Sequence, residues 1–351
     1  MPQLPARPDL GQLRRHAKEL LRAAKAGEPD AHAQLATVAT RPTLSAAQLA
    51  IARSYGFASW AKLKTEVDRR DILNRRDLPR LAALLAEQPE QARQSMRSWR
   101  DHPHGASPLG YIAMLRFDAA RLGLTGPQSG SLAGTGAIAR ALIEAGAPVD
   151  GEAGDPETPL ITAASYGDAE VAAVLIGAGA DLEAVAAPHA GGVPGGTALR
   201  HAAVFGMTDV LDLLLAAGAR IGSLSDAAAA GDLLGWLQPD TPLNERVRAL
   251  VMAADHQRLT VIDQLLEAGT PIDAEDAHYR RQALRLAATN GRSASVAHLL
   301  RRGTNPHRRD PIEHRTALEW CRHARAQLGH RASPGHDQVE ALLAAVTAPP
   351  A

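Results

Sequence analysis

The sequence predicts an all-α chain built as a stack of short helix pairs, and three observations carry that prediction. The stretch from Thr158 to Ala184, TPLITAASYGDAEVAAVLIGAGADLEA, holds two helical patterns, with Leu160, Ala163 and Ala164 on one and Val171, Val174, Leu175 and Ile176 on the other. Gly167 closes the first pattern, Gly179 closes the second, and looser copies of the whole stretch recur along most of the chain. Hydrophobic residues make up 45% of the 351 residues but aromatics only 3%, so the core is built from Leu, Val, Ile and Ala. That suits close-packed helices better than a β-sandwich. Each helix is too short to be stable alone, and a helix pair with one apolar face buries it most simply against a copy of itself.

Net charge is zero, but it is unevenly spread. Residues 1–100 carry 18 Lys and Arg against 10 Asp and Glu, residues 101–250 carry 7 against 17, and residues 251–351 carry 13 against 11. Such asymmetry can steer a charged partner, but solvated helix faces are the favoured reading. The opening residues have no apolar leader-like run, and no later run is long enough to span a bilayer, which predicts a cytoplasmic protein without a membrane segment. One cysteine, Cys321, excludes an internal disulfide framework.

Residues 1–69 read as a small helical domain. Leu10, Leu13, Ala17, Leu20, Leu21 and Ala24 recur at helix spacing behind Asp9, with Gln12 placed to complete a capping box and with Gly27 and Pro29 as the stop. Arg14, Arg15, Lys18, Arg22 and Lys25 fall on the polar side of this helix. A second helix spans residues 30–38, Ser45 with Gln48 caps a third that ends near Gly56, and Ser59 caps a fourth through Trp60, Leu63 and Val67. Tyr55, Phe57 and Trp60 are its expected aromatic core. Residues 44–63 resemble a helix-turn-helix, with Gln48, Ala52, Gly56 and Leu63 near the positions that motif uses. The second of those helices offers Ser59, Lys62, Lys64 and Thr65 and no Arg, Asn or Gln to read bases, so a structural cap is the favoured reading and nucleic acid the alternative. Residues 70–106, with Leu78, Leu81, Leu84, Leu85 and Pro89, read as an incomplete repeat that seals one end of the stack.

From 107 to 346 the copies become specific. Ser107-Pro108-Leu109 with Gly146-Ala147, then Thr158-Pro159-Leu160 with Ala163-Ala164 and Gly179-Ala180, then Thr197-Ala198-Leu199 with Ala202-Ala203 and Gly218-Ala219, open and close the first three. The series continues through Leu224 and Ala227-Ala228, Leu250 and Ala253-Ala254, Leu284 and Ala287-Ala288, and Thr316-Ala317-Leu318. Leu250, Leu284 and Leu318 stand 34 residues apart. In this pattern the chain resembles the ankyrin-repeat family, whose period is about 33 residues. The resemblance implies an ankyrin-repeat solenoid of helix-turn-helix units with short β-hairpin fingers, and a frayed tail over residues 347–351. Residues 1–69 are also similar to helical stretches that precede ankyrin repeats in bacterial proteins.

Each recurring letter has a physical role: Thr or Ser caps the inner helix, Pro fits its first turn, paired Ala lets inner helices approach, and Gly ends the outer helix in a left-handed conformation. The departures are as informative. An insertion over residues 116–136 separates the helices of the first full repeat, residues 187–196 (APHAGGVPGG) lengthen a finger, and residues 326–335 interrupt the last repeat. The fourth repeat is truncated, only 26 residues separating Leu224 from Leu250, with Gly235-Trp236-Leu237-Gln238-Pro239 cutting its outer helix short.

No catalytic constellation emerges. Cys321 replaces a core Ala, the Gly-rich run at 122–136 lacks the Gly-Lys-Ser/Thr of a phosphate loop, and the carboxylates form no recurring pair. His307, His314, His323, His330 and His336 crowd the last repeat at spacings that match neither a zinc helix nor a finger. The chain is therefore read as a non-enzyme without cofactor or metal. In the ankyrin family the two residues between Ala-Ala and the closing Gly face the concave groove together with the finger tips, so the resemblance implies a protein-binding surface. It comprises Ser165 and Tyr166, Val204 and Phe205, Asp255 and His256, Thr289 and Asn290, with Tyr279, Arg280 and Arg281 on a finger. Met114 and Leu115, and Ala229 and Ala230, occupy the same register. Tyr166 and Phe205 either stand exposed as anchors or are covered by the loops at 116–136 and 187–196. The expected molecule is a monomeric scaffold for another protein, with nucleic acid as the alternative partner of the basic first domain.

Overall fold

The computed structural model describes residues 4–5, 7–96, 106–118, 133–278, 280–329 and 333–347. Among these are eighteen α-helices, one 3-10 turn over Pro89–Ala92, and no strand. Antiparallel pairing is confined to the isolated bridges Met96–Ala106, Val185–Thr197 and Glu275–Gln282. The fingers are thus single bridges rather than ladders. The chain divides into two compact units, Met1–Leu124 with Ala137–Pro148, and Thr125–Gly136 with Val149–Ala351.

The first unit carries α1 (Leu10–Lys25), α2 (Pro29–Ala36), α3 (Leu44–Ser54), α4 (Trp60–Arg75), α5 (Leu78–Glu87), α6 (Pro108–Asp118) and most of α7 (Thr135–Glu144). Asp9 caps α1 by accepting the Gln12 N–H at 2.5 Å, and Leu13, Ala17 and Ala24 face inward. Thr43, not Ser45, caps α3: its extended backbone presents Oγ1 to the Ala46 N–H at 3.1 Å, so the helix starts one residue before Ser45. Ser59 caps α4 through the Lys62 N–H, and α4 then runs on to Arg75, through residue 70. Its second half is buried nearly all round and carries charge inside: buried Glu66 accepts from Arg69 at 2.5 Å and from Arg70 at 2.8 Å, and Arg69 also donates to the carbonyls of Gln91 and Gln94. Tyr55, Phe57 and Trp60 are half-buried and pack onto an aliphatic cluster of Leu4, Leu13, Ala52, Leu63 and Val67, rather than forming the centre themselves.

In the second unit the pairing of inner and outer helix repeats. The pairs are α8 (Pro159–Tyr166) with α9 (Ala169–Gly177) and α10 (Ala198–Val204) with α11 (Thr208–Ala216); α12 (Leu224–Ala230) follows alone. Then come α13 (Leu243–Asp255) with α14 (Leu259–Glu267), α15 (Ala283–Thr289) with α16 (Ser293–Arg301), and α17 (Ala317–Leu328) with α18 (Pro334–Thr347). Thr158, Thr197, Ser223 and Thr316 each accept an N–H of the turn they open. Ala163, Ala164, Ala202, Ala203, Ala253, Ala254, Ala287 and Ala288 are fully buried, and side chains this small let packed helices approach closely. α12 has no outer mate. The chain instead runs from Gly231 to Pro242 as a series of turns, and α12 packs along α13.

Candidate partner-binding surface

The carboxyl ends of α8 and α10 place Ser165 and Tyr166 beside Val204 and Phe205. Phe205 ends α10 in an irregular turn and is 36% exposed, whereas Ser165 and Tyr166 are half-buried. The finger over residues 187–196 does fold back, but onto His201 rather than onto Phe205. Nε2 of His201 donates to the Val193 carbonyl at 3.1 Å, Nδ1 lies 2.8 Å from the Ser165 hydroxyl, and Gly192 donates its N–H to Glu157. Burial pushes the His201 imidazole down to about 4 and pushes the Glu157 carboxyl upward. Neutral His201 is thus a fixed hydrogen-bonding strut, its ring centroid 6.0 Å from that of Phe205. The Ser165 hydroxyl also lies 2.9 Å from the Ile161 carbonyl, and the far nitrogen of the imidazole is tied to backbone, so the pair fastens the finger.

Further along, the expected groove residues converge on one another. Asp255 Oδ1 accepts from Asn290 Nδ2 at 2.8 Å and from Arg292 Nε at 3.1 Å, and Arg292 donates onward to the Gly206 carbonyl at 2.5 Å. His256 donates from Nε2 to the Ala203 carbonyl at 2.9 Å while Nδ1 meets the Thr208 hydroxyl at 3.0 Å. Arg281 reaches the Val204 carbonyl at 3.2 Å. The carbonyls at the end of α10 are therefore gathered by side chains of the fifth and sixth repeats.

This corrects the expected exposure of several residues. Val204, Asp255 and His256 are buried, as are Met114, Leu115 and Ala229 in the same register. For Val204, Asp255 and His256 the reason is that the end of α13 meets the end of α10: His256 holds the Ala203 carbonyl, and Arg292 links Asp255 to the Gly206 carbonyl. Thr289 and Asn290 are half-buried, with Thr289 Oγ1 donating to the Arg285 carbonyl at 2.8 Å. Arg281 is half-buried and Arg280 exposed, the latter with φ 53° and its carbonyl taken by Arg285. Tyr279 lies outside the described residues, as do 119–132 of the insertion at 116–136 and His330 of the last repeat.

His201 is the residue that sequence reasoning passed over, and it belongs to a recurring device. In three places a hydroxyl meets Nδ1 of a buried imidazole whose Nε2 holds a backbone carbonyl: Ser165–His201–Val193, Thr208–His256–Ala203 and Ser333–His336–Thr289. The available signal was a histidine inside an otherwise apolar helix register. His307 and His314 are exposed, and His323 contacts Gln327 at 2.9 Å. Among the described residues no three His, Cys, Asp or Glu side chains are grouped to hold a metal ion, and no helix is long and apolar enough to cross a membrane.

Residues 131–225 match the family model described as "Ankyrin repeats (3 copies)". Among solved structures, the human ASB11 ankyrin repeat domain aligns with 70% of this chain and all of its own, at 22% identity and a TM-score of 0.30. No curated protein matches the chain.

Proposed function

We propose that this chain, whose residues 131–225 match ankyrin repeats, is a non-catalytic scaffold holding a partner protein against Ser165, Tyr166 and Phe205, with Thr289, Asn290, Arg280 and Arg281 as flanking contacts. The observation that carries this reading is the exposed ring of Phe205 at the edge of a rigid hydrogen-bonded network, in a chain with only three Phe residues. A large apolar ring held at the surface is the usual anchor of a protein interface. Val204, Asp255 and His256 act in this reading by stiffening the surface, so that little ordering entropy is lost when the partner docks.

The test is a capture experiment from source-cell lysate with the wild-type chain beside the Tyr166→Ala/Phe205→Ala double variant. The reading requires a defined protein that the wild type retains and the double variant loses, with both chains folded by circular dichroism. An identical set of captured proteins would sink it.

A second reading rests on α1, where Arg14, Arg15, Lys18, Arg22 and Lys25 are all exposed and none is in an ion pair among the described residues. Such a stripe suits a polyphosphate backbone. It requires nucleic-acid binding that falls steeply with salt and is lost in Arg14→Ala/Arg15→Ala/Lys18→Ala.

A further inference from the structure

We propose that the link between α12 and α13 is a second docking surface, and that its occupant is a cationic amphipathic helix of a partner protein. The inference does not depend on the surface around Phe205.

In the second unit α8, α10, α13 and α15 are each followed by an outer helix of nine residues, namely α9, α11, α14 and α16. After α12 there is none, and the chain from Gly231 to Pro242 takes its place. That link is apolar where an outer helix would ordinarily provide cover. Leu233 is buried and anchors it, but Leu234 is 87% exposed, Leu243 is 48% exposed, and Trp236 and Leu237 are half-buried. Four large apolar side chains within ten residues exceed the scattered exposure normal for a surface.

The link is also preformed. Asp232 accepts the Leu234 N–H at 2.8 Å, Leu233 accepts from Trp236 at 2.9 Å and from Leu237 at 3.2 Å, and Thr241 accepts the Gln238 N–H at 2.8 Å. Arg258 ties its start down by donating to the Ala229 carbonyl at 2.8 Å and pairing with Asp212 of α11. A fixed apolar shelf loses little entropy on binding.

Charge selects the occupant. From Gly231 to Glu245 there is no Lys or Arg, while Asp232, Asp240 and Glu245 are all exposed and, among the described residues, in no ion pair. A second copy would bring the same three carboxylates against themselves. Anionic lipid and nucleic acid carry the same sign and are repelled. An apolar stripe flanked by Lys or Arg satisfies both the leucines and the carboxylates, and the missing element of the repeat is a helix of about nine residues, about 14 Å long.

The test uses a fluorescein-labelled peptide of about 14 residues, roughly four turns, made of Leu and Lys in helical periodicity, with a Leu/Glu peptide of the same periodicity as control. The expected result is saturable binding of the Lys peptide and none of the Glu peptide. Leu234→Ser, a change at a solvent-exposed side chain, weakens it about tenfold or more, as loss of a central apolar anchor does. Asp240→Asn/Glu245→Gln weakens binding and flattens its salt dependence, while Tyr166→Ala/Phe205→Ala leaves it unchanged. Hydrogen exchange then slows over residues 231–245. Equal affinity for Leu234→Ser, or protection mapped around Ser165 and Phe205 instead, overturns the proposal. So does a concentration-dependent dimer abolished by Leu234→Ser, which would make a second copy the occupant.

Discussion

His256 and Ala203, 53 positions apart in sequence, are joined by a 2.9 Å hydrogen bond from Nε2 to the backbone carbonyl. The bond passes over the fourth repeat and ties the fifth to the third. His256 is buried, and its other nitrogen is occupied by Thr208. His256→Ala leaves a buried carbonyl and a hydroxyl without their partner and opens a cavity, which costs about 2–4 kcal/mol. Urea unfolding of the variant checks this, and a loss below about 0.5 kcal/mol would mean that the third and fifth repeats hold together without it.

Acid sensitivity follows from the same burial. The His201 imidazole is pushed from 6.5 to about 4 and that of His256 is pushed down as well, so the unfolded chain binds more protons than the folded one below pH 6.5. Their contribution is fully present above pH 6.5 and is lost as pH falls below it, for His201 down to about 4. The loss for His201 is on the order of 2 kcal/mol. Denaturant midpoints at pH 7.5, 6, 5 and 4.5 measure it, and His201→Gln is expected to flatten the profile over that window. A wild-type profile without slope there would contradict the placement of both rings.

Gly206 has φ 69°, and a Cβ added to it would stand 2.6 Å from Asp255 Oδ2 and 2.9 Å from an Arg292 nitrogen. Gly206→Ala combines left-handed strain with a clash against the network that holds its carbonyl. The expected cost is about 2–3 kcal/mol, against about 1 kcal/mol for the conformational strain alone. If Arg292→Ala, which removes one of the two side chains the methyl would meet, does not lessen the penalty of Gly206→Ala, the network is not what excludes the methyl.

In the first unit, Glu66 lies buried between Arg69 and Arg70, at 2.5 and 2.8 Å. Removing the one carboxylate leaves two buried guanidinium groups without their counter-charge, so Glu66→Ala is expected to cost about 3–5 kcal/mol. Replacing only one cation, as in Arg70→Leu, is expected to cost less. Thermal unfolding of the two variants side by side decides the order, and the reverse order would show that the carboxylate is not the hub.

Cys321 reports on unfolding. Burial pushes its thiol up to about 11, and its Sγ contacts the His336 carbonyl at 3.5 Å. A disulfide reagent at pH 8 is expected to label it only when the last repeat opens, at a rate that rises with denaturant alongside loss of helical signal. Immediate labelling of the native chain would place the thiol at the surface.

Much of the fold is legible because it is local. Apolar spacing of three and four residues marks α8 and α9, and Asp9, Ser59, Thr158 and Thr197 announce the starts of their helices by side chains that reach only three residues ahead. The misplaced cap at Ser45 is an error of the same local kind, since Thr43 and Ser45 offer equivalent oxygens and only the backbone entering α3 decides between them. The candidate surface is less legible. Phe205 stands at the surface as its register implied, yet Val204, Asp255 and His256, in the same register, are buried.

The repeat, the helix pairs and the truncation of the fourth unit can be read along the chain, because each is a pattern within about one period. Which faces of those units meet is settled by contacts between distant residues. Arg292 and Gly206 are 86 positions apart, Arg281 and Val204 are 77 apart, and the finger residue Val193 chooses His201 over Phe205. The position of one repeat against another is the sum of the small rotations between them. One shortened repeat changes that sum, and with it whether a polar side chain at the groove register faces solvent or the carbonyls of a neighbour.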